Sequence, residues 1–397
     1  MTPPRATIFG AGAIGRGFLG QLNADAGGSS TFLDVDTALL EALNAAGGYP
    51  LELVDDDHID RRQIAPIEAH LPNSIAASES IAQADWIGTC VGARHLDKVA
   101  APLAVGLTLR CAQDPDRPIN IILAENFPNA AAFLRQATLD LLSPEVRTWS
   151  ASRVGFVDAS IGRMVPHLTA GDRTREPLLV RAEPYAVLPL DGDAWVGPRP
   201  EVPGFCFRTP FEAVVETKRF LHNLGHAAAA YAGARTGCAT LPDCMAHLGV
   251  AQHTHAVMDE AVEALARKWN LDRATLQLHA ADLRQRFTNL ALGDPVARVA
   301  ADPLRKLAVD ERLVGGVRLA LAHGVAPVAC AQAVANALLY DDLSDPGAVS
   351  LSGWRQSETP AGWVMRATGL HETASALPWI LAAVTGDPLP TLPEPTP

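Results

Sequence analysis

The segment Ala6-Thr7-Ile8-Phe9-Gly10-Ala11-Gly12-Ala13-Ile14-Gly15 constrains this chain more than any other. Residues 6–9 read as a short buried strand that runs directly into glycines at 10, 12 and 15, and Phe18, Leu19 and Leu22 continue with helical spacing. A strand that turns into a helix through Gly-x-Gly-x-x-Gly opens a dinucleotide-binding unit. The first glycine permits the tight turn, the second lets the backbone approach a pyrophosphate, and the third lets the helix pack on the strand. The helix N-terminus then faces the phosphate charge. Thr31-Phe32-Leu33 predicts a second strand, and Asp34 at its end is placed to accept hydrogen bonds from an adenosine ribose. Its charge repels a 2′-phosphate, so the expected cofactor is NAD rather than NADP. Arg16 is compatible with a phosphate contact or with a solvated helix surface.

Two further strands are expected at Ala84–Gly92, ending in a glycine turn, and at Ile119–Ala124, ending at Glu125-Asn126. Strands alternating with helical stretches predict a parallel sheet covered on both faces, an α/β Rossmann-type fold. With Val91 and Gly92 of the glycine turn, the expected cofactor contacts are Phe9, Gly10, Ala11, Gly12, Ala13, Ile14, Gly15, Asp34, Val91 and Gly92.

After residue 195 the character changes. A proline- and glycine-rich passage, Gly197–Gly204, precedes helical spacing over Phe211–Gly233, Gly249–Trp269, Arg273–Asn289, Pro303–His323 and Val328–Tyr340. The expected domains are an NAD-binding domain over 1–195, a mainly helical substrate domain over 196–386, and an extended proline-rich tail over 387–397.

Composition narrows the partners. A net charge of −12 leaves no basic field for a nucleic-acid backbone. The six cysteines include no Cys-x-x-Cys pair, so neither a disulfide framework nor a zinc site is expected. The N-terminus has no signal-peptide architecture, and the apolar run Leu319–Tyr340 is interrupted by His323, Gln332 and Asn336. A cytoplasmic protein with a small-molecule substrate is the expectation.

Only four of the 32 basic residues are lysines, which draws attention to each. Lys218 precedes Asn223 and His226 within one expected helix. At about 100° per residue, His226 lies about 80° and Asn223 about 140° around from Lys218, so the three can face one cleft. A lysine base near neutrality needs its amine brought from about 10.4 to roughly 7–8, which burial achieves at a cost of about 3–4 kcal/mol.

On these motifs the chain resembles the polyol-specific long-chain dehydrogenases. The resemblance rests on Phe9–Phe18, Phe32–Val35, Asn120–Asn126 and Val154–Asp158 in the first half. In the second half it rests on Lys218-x4-Asn223-x2-His226, Arg286-Phe287-x-Asn289 and Pro303–Leu307. It implies metal-independent hydride transfer with Lys218 as acid or base. Asn126 and Asn223 would donate to the developing alkoxide, and His226 would orient the substrate. The fingerprint starting at Gly10 and the length near 400 residues resemble the branch acting on mannitol 1-phosphate, with Arg163, Arg305 and Lys306 as the expected substrate-binding cations. The alternatives are an unphosphorylated polyol, a hexuronate, or a non-catalytic NAD-binding regulatory protein.

Two departures stand out. Gly162 occupies a position where relatives carry an aspartate before the arginine, and Phe127-Pro128-Asn129-Ala130 looks more like the mannitol 2-dehydrogenase branch. His253 and His255 sit about 200° apart on a helix and cannot share an ion. His371-Glu372 lacks the second histidine of a zinc motif, and Asp55-Asp56-Asp57 reads as a solvated loop.

Overall fold

The computed structural model describes residues 3–392 except 57, 128, 167 and 169, and the chain divides into two compact units, Met1–Val214 and Val215–Pro397.

The first unit contains eleven strands among its described residues: β1 (Arg5–Phe9), β2 (Ser29–Leu33), β3 (Tyr49–Asp55), β4 (His58–Ile64), β5 (Ile67–His70), β6 (Trp86–Thr89), β7 (Ile119–Leu123), β8 (Val154–Asp158), β9 (Val180–Ala182), β10 (Leu188–Asp191) and β11 (Phe205–Arg208). Six of them form one sheet in the order β5-β2-β1-β6-β7-β8, with every pairing parallel. That is the doubly wound Rossmann order, whose direction reverses between β1 and β6; ligands bind such sheets at the carboxyl ends beside the switch point. Helices cover both faces, so β7 is buried along its whole length and reads as an unbroken apolar run.

A second, three-stranded sheet (β4-β3-β9) and the parallel pair β10–β11 complete the unit. The sequence reading missed both. β4 carries Asp60, Arg61, Arg62 and Gln63 and is exposed at alternate positions, so it has no apolar run to announce it. The Gly197–Gly204 passage leads into β11 within this first unit.

The second unit is helical among its described residues and is built around one apolar core. Its central helix, Leu224–Thr236, is buried over most of its length because alanines and glycines alternate with Leu224 and Tyr231, letting neighbours approach from several sides. The stretch Pro303–His323, read as one helix, is two: Pro303–Leu307 and Arg312–Ala322. The Glu311 side chain accepts the Arg312 amide and starts the second segment afresh. The expected apolar run from Leu319 likewise divides, with helix Val328–Leu338 starting after a turn at Gly324. No described helix is long and apolar enough to cross a membrane. After helix Ala376–Thr385, residues 387–392 have no regular structure, and the remaining tail prolines lie outside the described residues.

Candidate functional site

In the first unit the glycine loop closes the end of β1 over β6. Gly10 adopts φ +99°, which disfavours any side chain, and a Cβ there would lie 2.7 Å from the Cys90 carbonyl. A Cβ at Gly15 would collide with the carbonyl of Gly10, so the third glycine permits the helix to sit directly on the turn. Gly12 differs: nothing lies within 4 Å of its missing side chain, leaving the backbone open to a phosphate-sized ligand. Gly12 and Ala13 are exposed and Ile14 is half-buried, whereas Phe9 and Ala11 are buried beneath the loop. The fingerprint therefore fits a pyrophosphate through backbone amides and an open face.

Asp34 ends β2 with its carboxylate already oriented. Oδ2 accepts the Ala11 amide at 2.7 Å, while Oδ1 accepts the amides of Val35 at 2.7 Å and Asp36 at 3.1 Å. Arg16 turns inward, contrary to both expected readings. Its Nε donates to the Ala11 carbonyl and its Nη1 to the Leu178 carbonyl, each at 2.6 Å, and the guanidinium lies over the Tyr49 ring.

Glu125 was read in the sequence only as the end of a strand and was given no role. Its buried carboxylate accepts the amides of both Val91 and Gly92 at 2.9 Å, which ties the glycine turn after β6 to the end of β7. Burial raises its pKa and the two amides oppose that shift. The available signal was an acidic residue closing the apolar run Ile121-Ile122-Leu123-Ala124. Asn126 follows immediately and is exposed at the carboxyl edge of the sheet.

Arg163, expected among the substrate cations, is committed to the interior of this unit. It donates to the carbonyls of Glu183 at 2.7 Å and Gly17 at 2.9 Å and to the side chain of Gln21, and it covers the Phe18 ring. The bare Gly162 beside it faces Tyr185, whose Cε1 would lie 3.3 Å from a Cβ at 162.

In the second unit, Lys218, Asn223 and His226 lie on one continuous helix, but not a regular one. Lys218–Asn223 is a π-helical turn leading into Leu224–Thr236. With i→i+5 hydrogen bonds and about 4.4 residues per turn, five steps leave Asn223 only about 50° around from Lys218, against about 140° in an α-helix. The turn thus gathers these side chains more closely than α-helical spacing predicts, and π-turns recur at functional sites.

No carboxylate among the described residues pairs with the Lys218 amine. Desolvation first, and the Arg312 charge second, bring its pKa down to about 8. His222 and His226 pack their rings against Phe287 at 5.9 and 5.3 Å. His226 Nε2 stands 3.3 Å from Asp294 Oδ2 without hydrogen-bond alignment. Burial and the surrounding cations Arg298, Arg312, Lys306 and Arg286 hold its pKa near 3, so its ring is neutral.

The structure separates the two adjacent cations expected to bind substrate. Lys306 is buried, donates to the Ala301 carbonyl, and has its pKa pushed down to about 8 by desolvation and by Arg305. Arg305 is exposed and its Nε donates to Asp302 at 2.7 Å.

Comparison with known proteins agrees with this architecture. The family described as "Mannitol dehydrogenase Rossmann domain" matches residues 4–204, and "Mannitol dehydrogenase C-terminal domain" matches residues 210–362. A mannitol-1-phosphate 5-dehydrogenase of Bacillus licheniformis is 34% identical over 381 residues, covering 95% of this chain and 98% of that one. Among solved structures, Pseudomonas fluorescens mannitol 2-dehydrogenase in ternary complex with NAD and D-mannitol shares the fold at TM-score 0.70 and 20% identity, covering 96% of this chain and 90% of that one. A substrate-free D-sorbitol dehydrogenase does so at TM-score 0.68 and 16% identity, over 86% and 81%. Both halves of the fold and nearly the full length of a curated relative agree: the chain belongs to the mannitol dehydrogenase family.

Proposed function

We propose that the protein is an NAD-dependent polyol-phosphate dehydrogenase that interconverts fructose 6-phosphate and mannitol 1-phosphate. The observation that carries this reading is Lys218: an amine without a carboxylate partner among the described residues, held near a pKa of 8 on the turn that ends at Asn223 and leads into the helix bearing His226. The 34% identity to a mannitol-1-phosphate 5-dehydrogenase supports the substrate. The open face of Gly12 and the oriented Asp34 carboxylate support the dinucleotide, with Asp34 excluding a 2′-phosphate.

NAD, when bound, supplies the hydride acceptor or donor. The protein handles the proton and the charge. In the reducing direction Lys218 Nζ gives a proton to the former carbonyl oxygen; in the oxidising direction neutral Lys218 removes it from the alcohol. The side-chain amides of Asn126 and Asn223 donate to that oxygen as negative charge develops. Neutral His226 orients a neighbouring substrate hydroxyl. No metal ion enters the scheme.

A panel of NADH oxidation with fructose 6-phosphate, fructose, fructuronate and tagaturonate tests this reading. Strong preference for fructose 6-phosphate is expected. Comparable kcat/KM for fructose removes the phosphate from the assignment, and preference for a hexuronate replaces the substrate class.

A further inference from the structure

The helix Arg312–Ala322 lies against the Lys218 turn through glycine. A Cβ at Gly315 would come 2.8 Å from Phe220 Cε1, and one at Gly316 would come 2.7 Å from Leu224 Cδ2. Arg312 is three and four residues before these glycines and so shares their face, turned toward the helix that bears Lys218, Asn223 and His226. A third segment reaches the same helix from elsewhere: the Tyr231 hydroxyl donates to the Ala300 carbonyl at 2.8 Å, and Ala301 in turn receives the buried Lys306 amine.

The cations here differ in how they are engaged. Arg298 pairs with Asp294, Arg305 with Asp302, and Arg286 lies 3.5 Å from Asp282. Arg312 touches Glu311 only through Nε, at 3.5 Å, and its two Nη groups have no hydrogen-bond or ion-pair partner among the described residues. Yet its side chain is only 17% exposed. Its charge also acts on Lys218, His226 and Lys306 alike, lowering the pKa of each. Neither Nη is sealed from solvent, so both are open to an incoming anion. Its two free Nη groups match two oxygens of a phosphate monoester, and a fork of this kind is selective in a way an ammonium is not.

We propose that Arg312 is the phosphate anchor of the second unit, with Lys306 beside it, and that it selects phosphorylated over free sugar. The proposal rests on the polyol-phosphate reading above and names the residue that enforces it.

The test uses the full-length enzyme and its Arg312→Gln and Arg312→Lys variants, with melting curves to establish that each folds. Three quantities are measured: kcat/KM for fructose 6-phosphate, kcat/KM for fructose, and inhibition by inorganic phosphate against fructose 6-phosphate. Loss of a charge-assisted fork predicts about a 10- to 100-fold fall for fructose 6-phosphate in Arg312→Gln, with fructose changed only a few-fold. Phosphate inhibition should weaken in parallel, and Arg312→Lys should recover part of both. If the wild-type enzyme prefers fructose 6-phosphate and Arg312→Gln keeps that preference, or loses both sugars equally, Arg312 is not the anchor. If the wild-type enzyme turns over fructose equally well and ignores inorganic phosphate, the polyol-phosphate reading fails, and the anchor with it.

Discussion

The carboxylate of Asp34 accepts the Ala11 amide at 2.7 Å, so the group proposed for the ribose also pins the glycine loop. Substitution should therefore have two effects. Asp34→Ser should narrow the preference for NADH over NADPH and should also raise KM for NADH, because the loop loses its tether. Steady-state kinetics with both cofactors separate the effects. Wild-type enzyme that used NADPH as readily as NADH would remove Asp34 from its assigned role.

Lys218→Ala should abolish turnover while leaving NADH binding nearly unchanged by fluorescence titration, and added primary amines should restore part of the rate. The pKa near 8 also fixes a sign. Ketone reduction needs the protonated amine, so its kcat should fall as pH rises through about 8. Polyol oxidation needs the neutral amine and should rise over the same interval. Profiles that run the same way in both directions would assign the proton to another group.

Asn126→Ala and Asn223→Ala should each lower kcat by roughly 10²–10³, the usual loss for one oxyanion donor. KM for NADH should change little in either variant. An effect confined to KM for the sugar would make these residues binding groups only.

Glu125→Ala should act through stability and cofactor binding together. It strands the amides of Val91 and Gly92, two donors the carboxylate now receives at 2.9 Å. A fully buried donor left unsatisfied costs about 1–3 kcal/mol, and with Val91 half-buried and Gly92 exposed the loss should lie below that range for each. A lower Tm with a higher KM for NADH is expected; an unchanged Tm would mean that water replaces the carboxylate without penalty.

Arg305→Ala should raise KM for fructose 6-phosphate by less than Arg312→Gln does, since Arg305 is exposed and already paired with Asp302. A larger effect from Arg305 would reverse their order.

The legible parts of the fold were those where burial leaves a pattern in the chain. Strands β1, β6 and β7 are buried on both faces and stand out as apolar runs, and the glycine fingerprint joins a strand to a helix within ten residues. β4 did not stand out because its charged residues face solvent or ion partners, with Arg61 paired to Glu52 across the hairpin. The interior place of Arg163 was not legible for a related reason: an arginine satisfied by carbonyls and a ring leaves no trace in sequence. Lys218, Asn223 and His226 were singled out by their spacing, yet the spacing assumed α-helical geometry throughout. What fixes a π-turn is local hydrogen bonding, which apolar periodicity does not record.

That turn has a consequence for how the chain can vary. Relative to a regular helix, Lys218–Asn223 holds an extra residue that the winding absorbs locally. Removing one residue there would leave a regular helix in which four α-helical steps, about 40°, replace five π-helical ones, about 50°, so Tyr231 and the buried alanines would keep their seats. The lysine would stay within about 10° of its place relative to Asn223 and His226, whereas rewinding the turn as α-helix at unchanged length would swing it by about 90°. Chemistry at this helix is set by local winding as much as by residue identity, and a change that alters none of the named side chains but rewinds the turn at constant length would disarm it.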